Sequence, residues 1–202
     1  MHYDFFAYIF RMRYIARWAL MRNTRTENVE EHSYEVAVLA HALAVIGREV
    51  LGRQVEPDRV AAAALFHDAP EIITGDLPTP IKYCNPELKQ AYRQVEVVAQ
   101  NKLLEMLPAA LQAAYAPLVQ ESDPQVRRYV KAGDKLAAWL KCQEELKAGN
   151  TEFRLAAQET MQALRAMEME EVAWFLEHLG EAFRLTLDEL GGAGKQTEGG
   201  SV

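Results

Sequence analysis

Residues 60–68, Val60-Ala61-Ala62-Ala63-Ala64-Leu65-Phe66-His67-Asp68, decide how this chain is read. The first seven are apolar and follow Pro57, a good first-turn residue, so they predict a buried helix. The last two set an imidazole beside a carboxylate at the end of that helix. A buried charge without a partner is costly or is forced to neutralise, and a metal ion is a partner that both groups can ligate. Two more polar residues intrude on apolar helical stripes in the same way. His32 stands four residues before Val36, and Asp134 stands four residues after Val130 and just ahead of Ala137 and Ala138.

Each of these residues has a bland explanation when taken singly. A lone histidine on an apolar face is usually a hydrogen-bonded core residue; Asp68 could cap a helix and Asp134 could be solvated. Together, His32, His67, Asp68 and Asp134 offer two nitrogens and two carboxylates from three predicted helices, which converge only if the helices pack as a bundle. The set suits Mn²⁺, Co²⁺, Fe²⁺, Zn²⁺ or Ni²⁺ better than Ca²⁺ and lacks the thiolates of a structural zinc site. It predicts a catalytic centre with one divalent transition metal ion.

Helical period dominates the rest of the chain, so the expected fold is all-α. A first helix is predicted over about 2–18, closed by Arg17 and Trp18. A second starts at Asn28, with Glu31 three residues on as a capping box, and runs to about Glu49 with Val36, Leu39, Leu43 and Ile46 on one stripe. The helix opened by Pro57 is broken or restarted by Pro70, which lacks a donor and crowds the preceding turn. Gly75-Asp76-Leu77-Pro78-Thr79-Pro80 predicts a stiff loop without regular structure. Further helices are expected at about 86–106, 108–118 and 124–147, and one or two more over 151–188. A single domain spans 1–190. The tail 191–202 has five glycines in twelve residues and is expected to be disordered.

The 202 residues are half hydrophobic and a quarter charged, ordinary for a globular chain able to bury a core without staples. A net charge of −7 argues against nucleic acid or anionic membranes as partners. No apolar stretch reaches the ~20 residues of a membrane span, and Phe5–Phe10 is too short and wrongly flanked for a signal peptide. Cys84 and Cys142 match no metal spacing and read as free thiols of a reducing compartment, so a cytoplasmic location is expected.

The spacing of His32, His67-Asp68 and Asp134 on a helical chain resembles that of the HD-domain metal-dependent phosphohydrolases. Within them, Arg17-Trp18, Arg25-Thr26-Glu27-Asn28-Val29-Glu30-Glu31-His32-Ser33, His67-Asp68-Ala69-Pro70-Glu71 and Gly75-Asp76-Leu77-Pro78-Thr79-Pro80 closely resemble the bacterial 5′-deoxynucleotidases of the YfbR type, from the first helix to about residue 190. The resemblance implies a homodimer that hydrolyses deoxyribonucleoside 5′-monophosphates with a bound divalent ion, cobalt and manganese among the candidates. It also implies metal ligation by His32, His67, Asp68 and Asp134, and places Arg17 at the phosphate with Trp18 beside it. His32, Asp68 and Asp134 then also border the substrate. The chain has only five histidines, too few beyond the ligands for a second metal, and His41 falls off the face of His32. Glu71 is followed by Ile72 rather than Asp, which counts against hydrolases of guanosine alarmones.

Glu71 lies three residues after Asp68, on the same face if the helix persists through Pro70. There it would take a proton from the attacking water; the alternative is an Asp68–Glu71 capping box. A guanidinium at Arg17 suits a phosphate dianion, since its planar fork binds two oxygens. The proline-stiffened loop of Asp76, Leu77, Pro78 and Thr79 would pack on the deoxyribose and refuse a 2′-hydroxyl. Two other readings stay open: hydrolysis of another nucleotide ester, such as a cyclic nucleotide or a triphosphate, and a silent nucleotide-sensing module.

Overall fold

The capping box at Asn28 forms: its side chain accepts from the Glu31 amide at 3.0 Å, and Glu31 reaches back to the Asn28 amide. It starts α2 (Val29–Val45), continued by a π-helical turn over Ile46–Val50. The computed structural model describes residues 2–82 and 85–191, without the side chains of Thr79 and Pro80. Ahead of α2 come α1 (Phe5–Ile9) and a 3₁₀ turn, Phe10–Tyr14. After it come α3 (Pro57–Leu65), the short α4 (Glu71–Thr74) and α5 (Thr79–Lys82), then α6 (Pro86–Glu105), α7 (Ala109–Val119), α8 (Pro124–Lys147), α9 (Arg154–Arg165) and α10 (Glu170–His178). Among the described residues there is no strand, only an isolated bridge between Ala16 and Asn28.

The structure corrects three expectations and removes one alternative. The first helix ends at Tyr14, so Arg17 and Trp18 lie in the irregular segment beyond it, tied back by the amide of Arg17 to Glu27 O at 2.9 Å. Helix α3 stops at Leu65, and His67 and Asp68 occupy a turn rather than a buried helix. The predicted loop 75–80 is shorter than expected, because Thr79 opens α5, whose amides at Ile81 and Lys82 bond back to Pro78 O. Helical structure resumes after Pro70 with Glu71 as its first residue, and no side-chain cap from Asp68 is formed. The tail 192–202 and Cys84 lie outside the described residues; Cys142 is a free, buried thiol.

Helix α2 is the axis of the molecule. It packs chiefly against α3 and α8, and α9 lies on the far side of α8. Val36, Ala40 and Leu43 of α2, Val60 and Ala64 of α3 and Leu136 of α8 form the main apolar core, which reaches Val172 and Phe175 of α10. Helices α2 and α8 approach closely because residue 133 is glycine: a Cβ there would sit 2.9 Å from Ala40 Cβ and 3.0 Å from Val36 O.

A second apolar cluster joins Phe5 to Ala69, Leu103, Leu107 and Val119, with Phe66 and Tyr115 packed on it. It anchors both flanks of the His67-Asp68 turn. A third, of Cys142, Phe153 and Ala157, receives Trp18 and Met21.

Candidate active site

Pro70 shapes the turn that carries two of the candidate ligands. Its ring cannot follow the helix, so the last carbonyls of α3 need other donors. The amides of Phe66 and His67 take Ala63 O and Ala64 O, and the Ala69 amide takes Phe66 O. His67 Nδ1 also donates to Ala64 O, at 2.7 Å. That bond puts the imidazole proton on Nδ1 and leaves Nε2 with a lone pair aimed into the site, the tautomer a metal ligand requires.

Nε2 of His67 is 3.1 Å from Asp68 Oδ2. His32, fully buried, comes in from α2 with Nε2 3.7 Å from the same oxygen and 3.1 Å from Asp134 Oδ1. Asp134 follows Gly133 on α8, so the close helix contact delivers it to His32. His32, His67 and Asp68 each offer a donor atom within 4.8 Å of the others, with Asp134 joined through His32. Donors around one ion at about 2.1 Å stand about 3.0–3.4 Å apart, so the two 3.1 Å separations fit a shared ion and the 3.7 Å one lies a few tenths of an ångström outside. Among the described residues, eight buried side-chain polar atoms lack a hydrogen-bond partner, and five belong here: Arg17 Nε, Glu27 Oε1, His32 Nδ1, His67 Nε2 and Glu71 Oε2. Glu27 Oε1 and His32 Nδ1 face each other at 3.4 Å and Arg17 Nε lies 3.6 Å from Glu27 Oε2, so the two groups left open to a ligand are His67 Nε2 and Glu71 Oε2.

The carboxylates and imidazoles of the cluster shift one another strongly. Burial and Arg17 both oppose charge on His32, yet its contacts with Asp134 and Glu27 outweigh them and lift its pKa to about 9. Burial would raise Asp134, but the contact with His32 brings it down to about 2. Asp68 is likewise held below the ordinary carboxylate range, against burial, by His67, His32 and Arg17. Glu71 goes the other way: burial, then repulsion from Asp68 and Asp76, pushes it up to about 9.

Arg17 reaches the cluster with Nη1 3.4 Å from Asp68 Oδ2. It is the least exposed of the arginines of its region. Arg13, Arg22 and Arg25 pair at the surface with Glu30, Glu152 and Glu31, and Arg11 is exposed beside Tyr14.

Trp18 packs its ring against Phe153, with centroids 5.3 Å apart. Its indole N–H donates to Glu27 Oε2 at 2.6 Å. Gly75 closes α4 at φ 73°, ψ 161°, a region open essentially to glycine, and turns the chain into Asp76, Leu77 and Pro78. Asp76 faces the cluster: burial raises its pKa, opposed by Arg17 and reinforced by Asp68. Leu77 and Pro78 are half-buried beside it, and the side chain of Thr79 lies outside the described residues. His41 is remote, half-exposed and paired with Asp58 at 3.4 Å.

Glu27 is the residue that sequence reasoning passed over. It is buried, with Oε1 3.4 Å from His32 Nδ1 and Oε2 3.6 Å from Arg17 Nε. The signal available was faint: an acidic residue directly before a helix cap, in a stretch rich in surface charge.

The chain matches a family model described as 5′-deoxynucleotidase YfbR-like over residues 4–183. It is 48% identical over 189 residues to the 5′-deoxynucleotidase YfbR of Escherichia coli, covering 92% of this chain and 94% of that one. It is 47% identical over 191 residues to the 5′-deoxynucleotidase of Erwinia tasmaniensis, covering 94% and 96%. Among solved structures, an HD-domain phosphohydrolase of Listeria innocua superposes with a TM-score of 0.76 at 24% identity, over 89% of this chain and 88% of that one. A cyanophage S-2L HD phosphohydrolase bound to dA and one catalytic Zn²⁺ superposes with a TM-score of 0.59 at 23% identity, over 85% and 93%.

Proposed function

We infer that this chain, which belongs to the YfbR-like 5′-deoxynucleotidase family, works at the cluster of His32, His67, Asp68 and Asp134. It is a hydrolase that cleaves deoxyribonucleoside 5′-monophosphates to deoxyribonucleoside and phosphate. The observation that carries the reading is the placement of Arg17, a guanidinium only 12% exposed and 3.4 Å from the Asp68 carboxylate, beside a donor set of two nitrogens and two oxygens.

The four residues would hold one divalent ion, and their mixed donors suit Mn²⁺ or Co²⁺, with Zn²⁺ also accommodated. Such an ion supplies a Lewis acid toward the phosphoryl oxygens and makes a water easier to deprotonate. Arg17 offers its fork to the phosphate and offsets the charge that gathers on it in the transition state. Glu71 sits where negative neighbours and burial resist its ionisation while Arg17 and Lys82 favour it. With the positive charge of a divalent ion held beside it, that carboxyl would ionise more readily, and as the carboxylate it can accept a proton from the attacking water and return it to the leaving 5′-oxygen. Trp18 flanks Arg17 at the nucleotide. Asp76, Leu77 and Pro78 would form the wall against which the sugar packs, and a 2′-hydroxyl brought there without a partner is penalised. The molecule is proposed to act as a homodimer, for which the exposed Val95, Val97 and Val98 of α6 provide apolar surface; light scattering reads the mass directly.

The deciding experiment is phosphate release from dAMP and AMP with Mn²⁺ or Co²⁺ present. Turnover of dAMP far faster than of AMP is expected. Equal rates would remove the sugar-measuring role of the 76–79 loop, and release only from cyclic or triphosphate esters would replace the substrate class. Ligand-dependent stabilisation without phosphate release would leave a nucleotide-sensing module instead.

A further inference from the structure

We propose that Glu27 is a positioning residue that yokes the metal ligand His32 to the phosphate-binding arm of Arg17 and Trp18, so that one carboxylate sets both halves of the site. The inference rests on the metal site described above and extends it by one residue.

Glu27 touches all three partners. Oε1 faces His32 Nδ1 at 3.4 Å, and Oε2 accepts from the Trp18 indole at 2.6 Å and lies 3.6 Å from Arg17 Nε. Its carbonyl accepts from the Arg17 amide at 2.9 Å, so the arm is tied through main chain and side chain alike. Trp18 adopts φ 57°, an unusual conformation for a bulky residue that persists only where surroundings over-determine it. The Glu27 bond on the indole and the Phe153 contact on the ring provide that constraint. The loop's other end is held as firmly: buried Glu145 accepts from the Thr24 amide at 2.9 Å and from Thr24 Oγ1 at 2.7 Å.

A carboxylate at this place is chemically specific. It can only accept, so when Nε2 gives up its proton to ligate, the proton that stays on Nδ1 has an acceptor waiting. An amide cannot serve both partners in this way. In Glu27→Gln, the amide oxygen stays with the Trp18 N–H and the NH₂ turns toward His32 Nδ1, which favours the tautomer with Nε2 protonated and unable to ligate.

The test is calorimetric titration of chelator-stripped protein with Mn²⁺, which needs no turnover. Glu27→Gln is expected to bind Mn²⁺ about 10- to 100-fold more weakly than the unaltered chain. At saturating Mn²⁺ it is expected to keep a raised KM for dAMP, because Arg17 has lost its brace. A purely structural Glu27 would lower the melting temperature and leave the Mn²⁺ affinity of the folded protein alone.

Trp18→Phe is the second variant, and it decides the matter should Glu27→Gln not fold. It removes the indole donor without touching any metal donor, yet the yoke predicts a loss of Mn²⁺ affinity of about 2- to 30-fold. Unchanged Mn²⁺ affinity in a folded Glu27→Gln overturns the proposal. Unchanged affinity in Trp18→Phe removes the Trp18 limb, and overturns the proposal where Glu27→Gln does not fold; an unchanged KM removes the Arg17 limb. An unaltered chain that binds no Mn²⁺ would overturn the metal-site reading and the yoke together.

Discussion

The role proposed for Glu71 rests on its surroundings. The residue is almost fully buried, Oε2 has no hydrogen-bond partner, and its charged neighbours compete. The Gly75 amide bonds to Glu71 O at 2.8 Å, which fixes the backbone and leaves the side chain for chemistry. Glu71→Ala is therefore expected to retain the metal, measured by elemental analysis, while kcat on dAMP falls about 10²- to 10⁴-fold. Loss of metal from that variant would move Glu71 among the ligands. His67 makes the same point about local structure. Its identity as a candidate donor could be read from the sequence, but its tautomer depends on Ala64 O, a carbonyl exposed to it only because α3 ends where it does.

Among the elements, the pairing of α2 with α8 matters most, since it brings Asp134 to His32. Gly133 permits it. A methyl group there would press on the backbone of Val36 and Ala40, which cannot yield as the tip of a flexible side chain would. Gly133→Ala is expected to lose about 1–3 kcal/mol of stability through overpacking, read from the denaturant midpoint. It should also bind Mn²⁺ more weakly, because relief of the clash parts the helices beside the donor set. A wild-type midpoint and Mn²⁺ affinity would show that the helices can adjust locally. Helix existence was legible from periodicity, and the capping box at Asn28 formed as read. The end of α1 was not legible, because Arg17 and Trp18 leave the helical path to meet Glu27 and Phe153, which are distant partners. The turn at 66–70 was half legible. Pro70 announced a break, but where α3 stopped depended on Phe66 and Ala69 finding the cluster around Phe5.

At the scale of the whole molecule, the site stands where three apolar clusters meet: one supports α2 and α8, one the His67-Asp68 turn and one the Trp18 arm. The 22–27 segment is clamped to α8 by Glu145, which accepts from Thr24, Lys141 and Asn150. Those bonds hold its pKa well below the ordinary range although burial opposes them. A folded-state pKa below the unfolded one means stabilisation that is present above the unfolded carboxylate range, about pH 4.3, and lost as pH falls through the folded value. Acid unfolding should accordingly be shallower in Glu145→Gln. At neutral pH that variant should be about 3–5 kcal/mol less stable, since buried Lys141 loses its counter-charge. Chemical denaturation at several pH values reads both effects, and parallel pH profiles for the two proteins would contradict this account of the clamp. The sequence by itself determined the helical class, most element positions and the candidate donors, because periodicity, caps and buried polar residues are local properties. That Glu27 lies against His32 and Arg17, that Gly133 sets the approach of Asp134 and that the 66–70 turn bonds His67 Nδ1 to Ala64 O emerged from the folded arrangement alone. Each of these depends on contacts between residues far apart in the chain, which no local pattern encodes.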